Sequence, residues 1–182
     1  MSLKILFIGP MGAGKTTAIC AVSDIPPVST EADNNDLLGH SKATTTVAMD
    51  YGEIQLDDGD VVALCGIPGQ ERFAFMWPIL AEGALGAVLL LDHSAAQPTQ
   101  QLAVYLDAFP ELAARGSLVI GVGHSQLPAA QTLAPYAELL RQRGLALPLF
   151  LTDVREKANV LLLIESLIAN AEVNKLLDNV KP

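Results

Sequence analysis

The sequence predicts a three-layer α/β sandwich: a mostly parallel six-stranded sheet with one antiparallel edge strand and helices on both faces. Three observations carry this reading. Short apolar runs alternate with helix-like stretches along the chain, the order that builds a parallel sheet through helical crossovers. A glycine-rich segment fitting G-x-x-x-x-G-K-[ST], Gly9-Pro10-Met11-Gly12-Ala13-Gly14-Lys15-Thr16, lies between the first apolar run and the first helix. A hairpin signal, Asp57-Asp58-Gly59-Asp60, joins two strand-like runs and supplies the antiparallel edge.

The elements follow in order. Leu3–Ile8 is an apolar strand, and a helix is expected from Gly14 to Ser23. The stretch from Asp24 to Ala43 is rich in Pro, Asn, Asp, Ser and Thr without periodicity and reads as a long functional loop. Thr44 to Leu56 carries β-branched residues and alternation, so a strand is expected there, followed after the turn by Val61–Cys65. A second special loop, Gly66-Ile67-Pro68-Gly69-Gln70, leads into a helix over Glu71–Glu82. Ala84–Leu91 is the central strand and ends at Asp92. A helix over Pro98–Ala114, a strand at Leu118–Val122, a helix over Pro128–Arg143 and a strand at Leu147–Leu151 come next. The last helix runs from Glu156 to Leu177, with Val160, Ile164, Leu167, Ile168 and Ala171 on one face.

With 182 residues, no internal repeat and no linker, one domain over 1–182 is expected. A net charge of −9 argues against nucleic acid or an anionic membrane as the main partner, while leaving room for a phosphate ligand held by local dipoles. The longest apolar run is too short to span a bilayer, and neither a signal peptide nor a lipid-attachment motif is read, so a cytoplasmic protein without a membrane anchor is expected. Cys20 and Cys65 read as buried, reduced thiols. His40, His93 and His124 lack metal-ligand spacing, so structural zinc is not expected.

The chemistry concentrates at Gly9–Thr16. A strand, a glycine-rich turn and a helix N-terminus aim successive backbone N–H groups at one point, and the helix dipole adds to the field. Lys15 is placed to reach the β- and γ-phosphates of a nucleotide, and the Thr16 hydroxyl to ligate Mg²⁺. Phe73, Phe75, Met76 and Trp77 cluster beyond the second loop. Helical spacing cannot turn all four inward, and Phe75 or Trp77 is expected to face a partner.

At Pro68-Gly69-Gln70-Glu71-Arg72-Phe73 the chain resembles the second switch of Ras-like P-loop small GTPases. The threonine run before Val47 resembles the first switch. The likeness is to the bacterial branch that includes the gliding-polarity GTPases and related ATP/GTP-binding proteins. It implies a P-loop NTPase fold, a small-GTPase-like G domain, Mg²⁺ and GTP/GDP (with ATP/ADP left open), slow hydrolysis, and a protein partner at the switch loops such as a roadblock-type regulator. It also implies roles. Gly12, Ala13, Gly14, Lys15, Thr16 and Thr17 would wrap the phosphates. Thr46, with Thr45 as the rival register, would close over Mg²⁺ and the γ-phosphate. Gly69 would sense that phosphate through its backbone N–H, and Gln70 would orient the attacking water.

Three positions depart from that pattern. Gly66 replaces the aspartate that holds Mg²⁺ through water, so Asp92 or an acid of the long loop is expected to substitute. Met11 replaces a glycine beside Gln70. Gly123-His124-Ser125-Gln126 stands where Asn-Lys-x-Asp reads guanine. There His124 would stack on the base, and Gln126 would pair once with guanine or twice with adenine. Thr152 and Asp153, before the last helix, lie near where a second base-contacting loop is expected, but they fit ordinary helix capping better. Two other functions compete with the switch: a non-hydrolysing interaction module of the same fold, and, ranked last, a small-molecule kinase, which would need an arginine-bearing lid.

Overall fold

A computed structural model describes residues 2–29, 49–56 and 59–180. Its strands are β1 (Ser2–Ile8), β2 (Val28–Ser29), β3 (Asp50–Gln55), β4 (Val61–Gly66), β5 (Gly86–Asp92), β6 (Leu118–Gly123) and β7 (Leu149–Leu151). Its helices are α1 (Lys15–Val22), α2 (Trp77–Ala81), α3 (Pro98–Ala108), α4 (Pro110–Ala114), α5 (Ala129–Gln142) and α6 (Lys157–Val180), with a 3-10 helix over Glu71–Met76. The strands form one sheet in the order β2-β3-β4-β1-β5-β6-β7.

All six expected strands form, and β3 alone runs against the others. The two-residue β2 is an addition that flanks β3 on its outer side. The backbone N–H of Asp24 donates to the Glu53 carbonyl at 2.7 Å, which lays the chain leaving α1 along β3. The Thr44–Val47 part of the expected strand and most of the long loop, with His40, Thr45 and Thr46, fall outside the described residues.

The sheet separates two apolar layers, as a parallel sheet must when both faces are covered. On β1, Leu6 and Ile8 face the layer under α3, α4 and α5, while Ile5 and Phe7 face the layer under α1 and α6. The two-residue period of the strand sorts them. On α6, Val160, Ile164 and Leu167 are buried as their spacing requires.

Two expected helices are divided, each at a proline. Pro110 lacks an N–H and disfavours helical geometry at the residue before it, so α3 stops and Phe109 (φ −126°, ψ 56°) links it to α4. Pro78, at the start of α2, has no N–H to offer the preceding turn, and the 3-10 helix comes before it. One thiol also differs from expectation: Cys65 is buried, but Cys20 is exposed. Helix α1 buries Ala18, Ile19 and Val22, and a 3.6-residue repeat turns position 20 to the outer face.

Candidate functional site

The loop Gly9–Gly14 leaves the end of β1 and enters α1 through three positive-φ glycines, Gly9 (140°), Gly12 (83°) and Gly14 (92°). At Gly9 both the dihedral and the space require glycine, because a Cβ would lie 2.2 Å from the Leu90 carbonyl oxygen. The loop wraps the Lys15 ammonium, whose Nζ donates to the carbonyls of Gly9 and Pro10, each at 2.8 Å. Burial pulls the Lys15 pKa down to about 8, and the charge of Asp50 only partly opposes it.

Asp50 is the residue that sequence reasoning missed. The Thr16 hydroxyl donates to Asp50 Oδ2 at 2.6 Å. Asp50 pairs directly with Gly66 in the antiparallel β3–β4 ladder. A Cβ at Gly66 would stand 3.0 Å from Asp50 Cβ and 3.1 Å from its Oδ2. The acid absent from β4 is therefore present one strand over, in the space that glycine leaves. The expectation that Asp92 or an acid of the long loop would substitute is corrected for Asp92. Its carboxylate instead accepts from the Ser94 backbone N–H (2.8 Å) and hydroxyl (2.6 Å), with His124 Nδ1 at 3.3 Å. Burial works to raise the Asp92 pKa, and these bonds outweigh it.

Thr16 and Asp50 fit Mg²⁺. A hydroxyl that gives its proton to a carboxylate keeps its lone pairs for a cation, and both are hard oxygen donors. No group of three or more His, Cys, Asp or Glu gathers among the described residues. Thr46, the other expected metal ligand, lies outside the described residues.

The second loop, Gly66–Gln70, lies directly on the first. A Cβ at Gly69 would come within 2.2 Å of the Gly9 carbonyl oxygen, 2.6 Å of Pro10 C and 2.8 Å of Lys15 Nζ. The backbone N–H of Ile67 donates to Phe7 O at 2.9 Å. Trp77 Nε1 donates to Pro68 O at 3.0 Å, and the Tyr105 hydroxyl to Gly69 O at 3.4 Å. Trp77 stacks between Tyr105 (ring centroids 5.0 Å apart) and Phe109 (5.8 Å). Trp77 is thus core, 2% exposed, and is corrected as a partner-facing residue, whereas Phe75 is 73% exposed as expected. The Gln70 side-chain amide reaches Met11 Sδ at 3.7 Å.

A cleft of about 570 Å³ opens against the phosphate loop. Gly12, Ala13, Gly14 and Thr17 form one end, and His124, Gln126, Thr152 and Asp153 form the other. The structure therefore brings Gly12, Ala13, Gly14, Thr17, His124 and Gln126 of the expected residues to one cleft, while Lys15, Thr16 and Gly69 lie outside its lining. His124 holds a left-handed backbone (φ 55°). The Asp153 carboxylate is tied to the Arg155 guanidinium, which holds its pKa at about 2, and it also accepts the Arg155 backbone N–H at 3.0 Å.

Comparison with known proteins agrees with this geometry. A family model described as "conserved hypothetical ATP binding protein" matches residues 27–114. No curated protein matches the chain by sequence. Among solved structures, the G domain of the T. maritima FeoB iron transporter superposes with a TM-score of 0.61 at 18% identity, covering 94% of this chain and 99% of that one. The apo cytosolic domain of the same transporter gives 0.60 at 17% identity, covering 94% of this chain but 65% of that one. At such identities the likeness concerns the fold, which is that of a P-loop GTPase-like α/β protein.

Proposed function

We propose that this chain is a nucleotide-dependent switch that binds a purine nucleoside triphosphate, hydrolyses it slowly and signals through its two switch loops. The likeness to G domains favours GTP, and the description of the matching family favours ATP. The observation that carries the reading is the packing of Gly69 against Gly9, Pro10 and Lys15, which leaves no room for a side chain where a γ-phosphate sensor would sit. Lys15 and the loop N–H groups hold the phosphates, and Thr17 borders them. Thr16 and Asp50 would hold Mg²⁺, which would supply positive charge against the phosphates. Gln70 orients a water for in-line attack on the γ-phosphorus, which breaks its bond to the bridging oxygen and gives the nucleoside diphosphate and inorganic phosphate, while Thr46 would close over the site in the triphosphate state.

Triphosphate has to share the Lys15 environment with Gly69, so loading it moves the second loop and alters the surface around exposed Phe75 and Ile79. That surface is the one offered to a protein partner, a roadblock-type regulator by resemblance. A second reading, a non-hydrolysing interaction module, draws support from Met11, whose sulfur engages the Gln70 amide.

The test is to measure Mg²⁺-dependent binding of GTP, GDP, ATP and ADP by the whole chain, with phosphate release in wild type, Gln70→Ala and Met11→Gly. A turnover that Gln70→Ala lowers and Met11→Gly raises supports the switch. Tight binding with no turnover in any variant supports the module, and failure to bind any nucleotide sinks the switch and leaves the module standing.

A further inference from the structure

We propose that the nucleobase is read by the Thr152 hydroxyl and the Gln126 amide, so that adenine nucleotides are held at least as tightly as guanine nucleotides. This rests on the nucleotide-binding reading above and concerns the part of the cleft remote from the phosphates.

Thr152 is 7% exposed, lines the cleft, and its Oγ1 is buried without a hydrogen-bond partner. A buried hydroxyl left unpaired is costly, and a ligand atom that pairs it recovers the loss. Its position is fixed from both sides. The Thr152 backbone N–H donates to Val122 O at 2.9 Å, extending the β6–β7 ladder by one residue. Its Cγ2 methyl occupies the space at Gly121, where a Cβ would approach it to 2.9 Å. Gly121 thus seats the methyl, and the hydroxyl of this cleft-lining residue is left without a partner.

The chemistry of the remaining lining sets the base. The guanine pairing edge presents two adjacent donors, N1–H and N2–H, which call for an acceptor-only carboxylate. Among the described lining residues the one carboxylate is Asp153, and both of its oxygens are occupied by Arg155, Oδ1 by Nε at 2.8 Å and Oδ2 by a terminal nitrogen at 2.5 Å. Adenine presents a donor, N6–H, beside an acceptor, and a primary amide offers the reverse pair at matching spacing. Gln126 carries that amide on the rim of the cleft. The Ser125 hydroxyl is already engaged, 2.6 Å from Thr132 Oγ1 and 3.1 Å from the Leu127 backbone N. Beside the His124 ring and the Arg155 guanidinium, the Thr152 hydroxyl and the Gln126 amide are neutral groups that both donate and accept, and they remain for the base.

The test is the dissociation constant of ADP and of GDP, each with Mg²⁺, for wild type, Thr152→Val, Gln126→Asp and Asp153→Asn, with thermal melts of each. Wild type is expected to hold ADP at least as tightly as GDP. Thr152→Val keeps the shape and removes the hydroxyl, so ADP binding weakens fivefold or more while the melting temperature does not fall. Gln126→Asp shifts the ratio toward GDP by tenfold or more. A wild-type preference for GDP of tenfold or more overturns the proposal, and its loss in Asp153→Asn would assign the base to that carboxylate. Unchanged ADP binding in Thr152→Val removes the hydroxyl from the account. If neither nucleotide binds, the nucleotide-binding reading fails and carries this one with it.

Discussion

Asp50→Asn removes one charge from the phosphate half of the site and leaves its shape. In the wild type the Thr16 hydroxyl donates to Asp50 at 2.6 Å, a charge-assisted bond that orients its lone pairs toward a cation. Asparagine keeps an acceptor oxygen but no charge, so the effect falls on metal rather than on folding. Loss of a group that orients a metal ligand typically costs about 10–100-fold in affinity, equivalent to about 1.4–2.7 kcal/mol. The assay is a Mg²⁺ titration of nucleotide binding at fixed nucleotide, with thermal melts alongside.

Gly66→Asp tests the same geometry from the other strand. Its Cβ would sit 3.0 Å from Asp50 Cβ, bringing two carboxylates to contact distance. At roughly 4 Å their repulsion is about 1 kcal/mol under full aqueous screening and about 4 kcal/mol under surface-like screening, so the melting temperature should fall by at least roughly 2–4 °C. The exchange Asp50→Gly with Gly66→Asp removes the repulsion and returns the acid to β4, so the double variant regains most of the Mg²⁺ affinity that Asp50→Gly alone loses. Asp50→Asn with Mg²⁺ dependence within about twofold of wild type would refute the reasoning. So would a double variant no better than Asp50→Gly.

Three further outcomes are expected. Gly69→Ala places a methyl 2.2 Å from the Gly9 carbonyl, and backbone cannot step aside as a flexible side chain can, so the second loop lifts off; triphosphate hydrolysis should drop about 10-fold or more, about 1.4 kcal/mol or more in barrier, and wild-type turnover would count against a tight packing. Trp77→Phe loses the bond to Pro68 O and part of the stack on Tyr105 and Phe109, lowering stability by about 1–3 kcal/mol in denaturant melts; an unchanged midpoint would show that the second loop is held elsewhere. Lys15 has a folded pKa of about 8, below its unfolded value, so its charged form is disfavoured by folding. That cost is full below about pH 8 and is relieved as pH rises toward about 10.4. Nucleotide-free wild type should therefore gain stability over that window relative to Lys15→Met, by roughly 1–3 kcal/mol, and parallel pH profiles for the two proteins would contradict the burial of Lys15.

The phosphate loop and the layering were legible in the chain because each rests on local rules. Gly9, Gly12 and Gly14 announce a backbone with positive φ, and the spacing of Lys15 and Thr16 follows from one turn of helix. The apolar runs of β1, β4, β5 and β6 are continuous because both faces are covered. Pro110 and Pro78 also carried local signals, and a stricter use of the missing N–H would have divided both helices.

What only the tertiary structure decided depends on pairs far apart in sequence. Asp50 is an unremarked acid until the turn before Val61 fixes the register that sets it opposite Gly66. The hairpin arithmetic was available, since Gln55 opposite Val61 carries the ladder back to Asp50, but nothing local marks the position as a partner of Thr16. Trp77 reads as an exposed aromatic from its neighbours, and it is core because α3 supplies Tyr105 and Phe109 to stack on it. Thr152 reads more readily as a helix cap. The β6–β7 ladder, with no side chain at Gly121, seats its methyl and turns an ordinary threonine into an unpaired hydroxyl inside the cleft. Local geometry is written in neighbouring residues, whereas the surroundings of a side chain are set by whichever distant segment the register brings beside it.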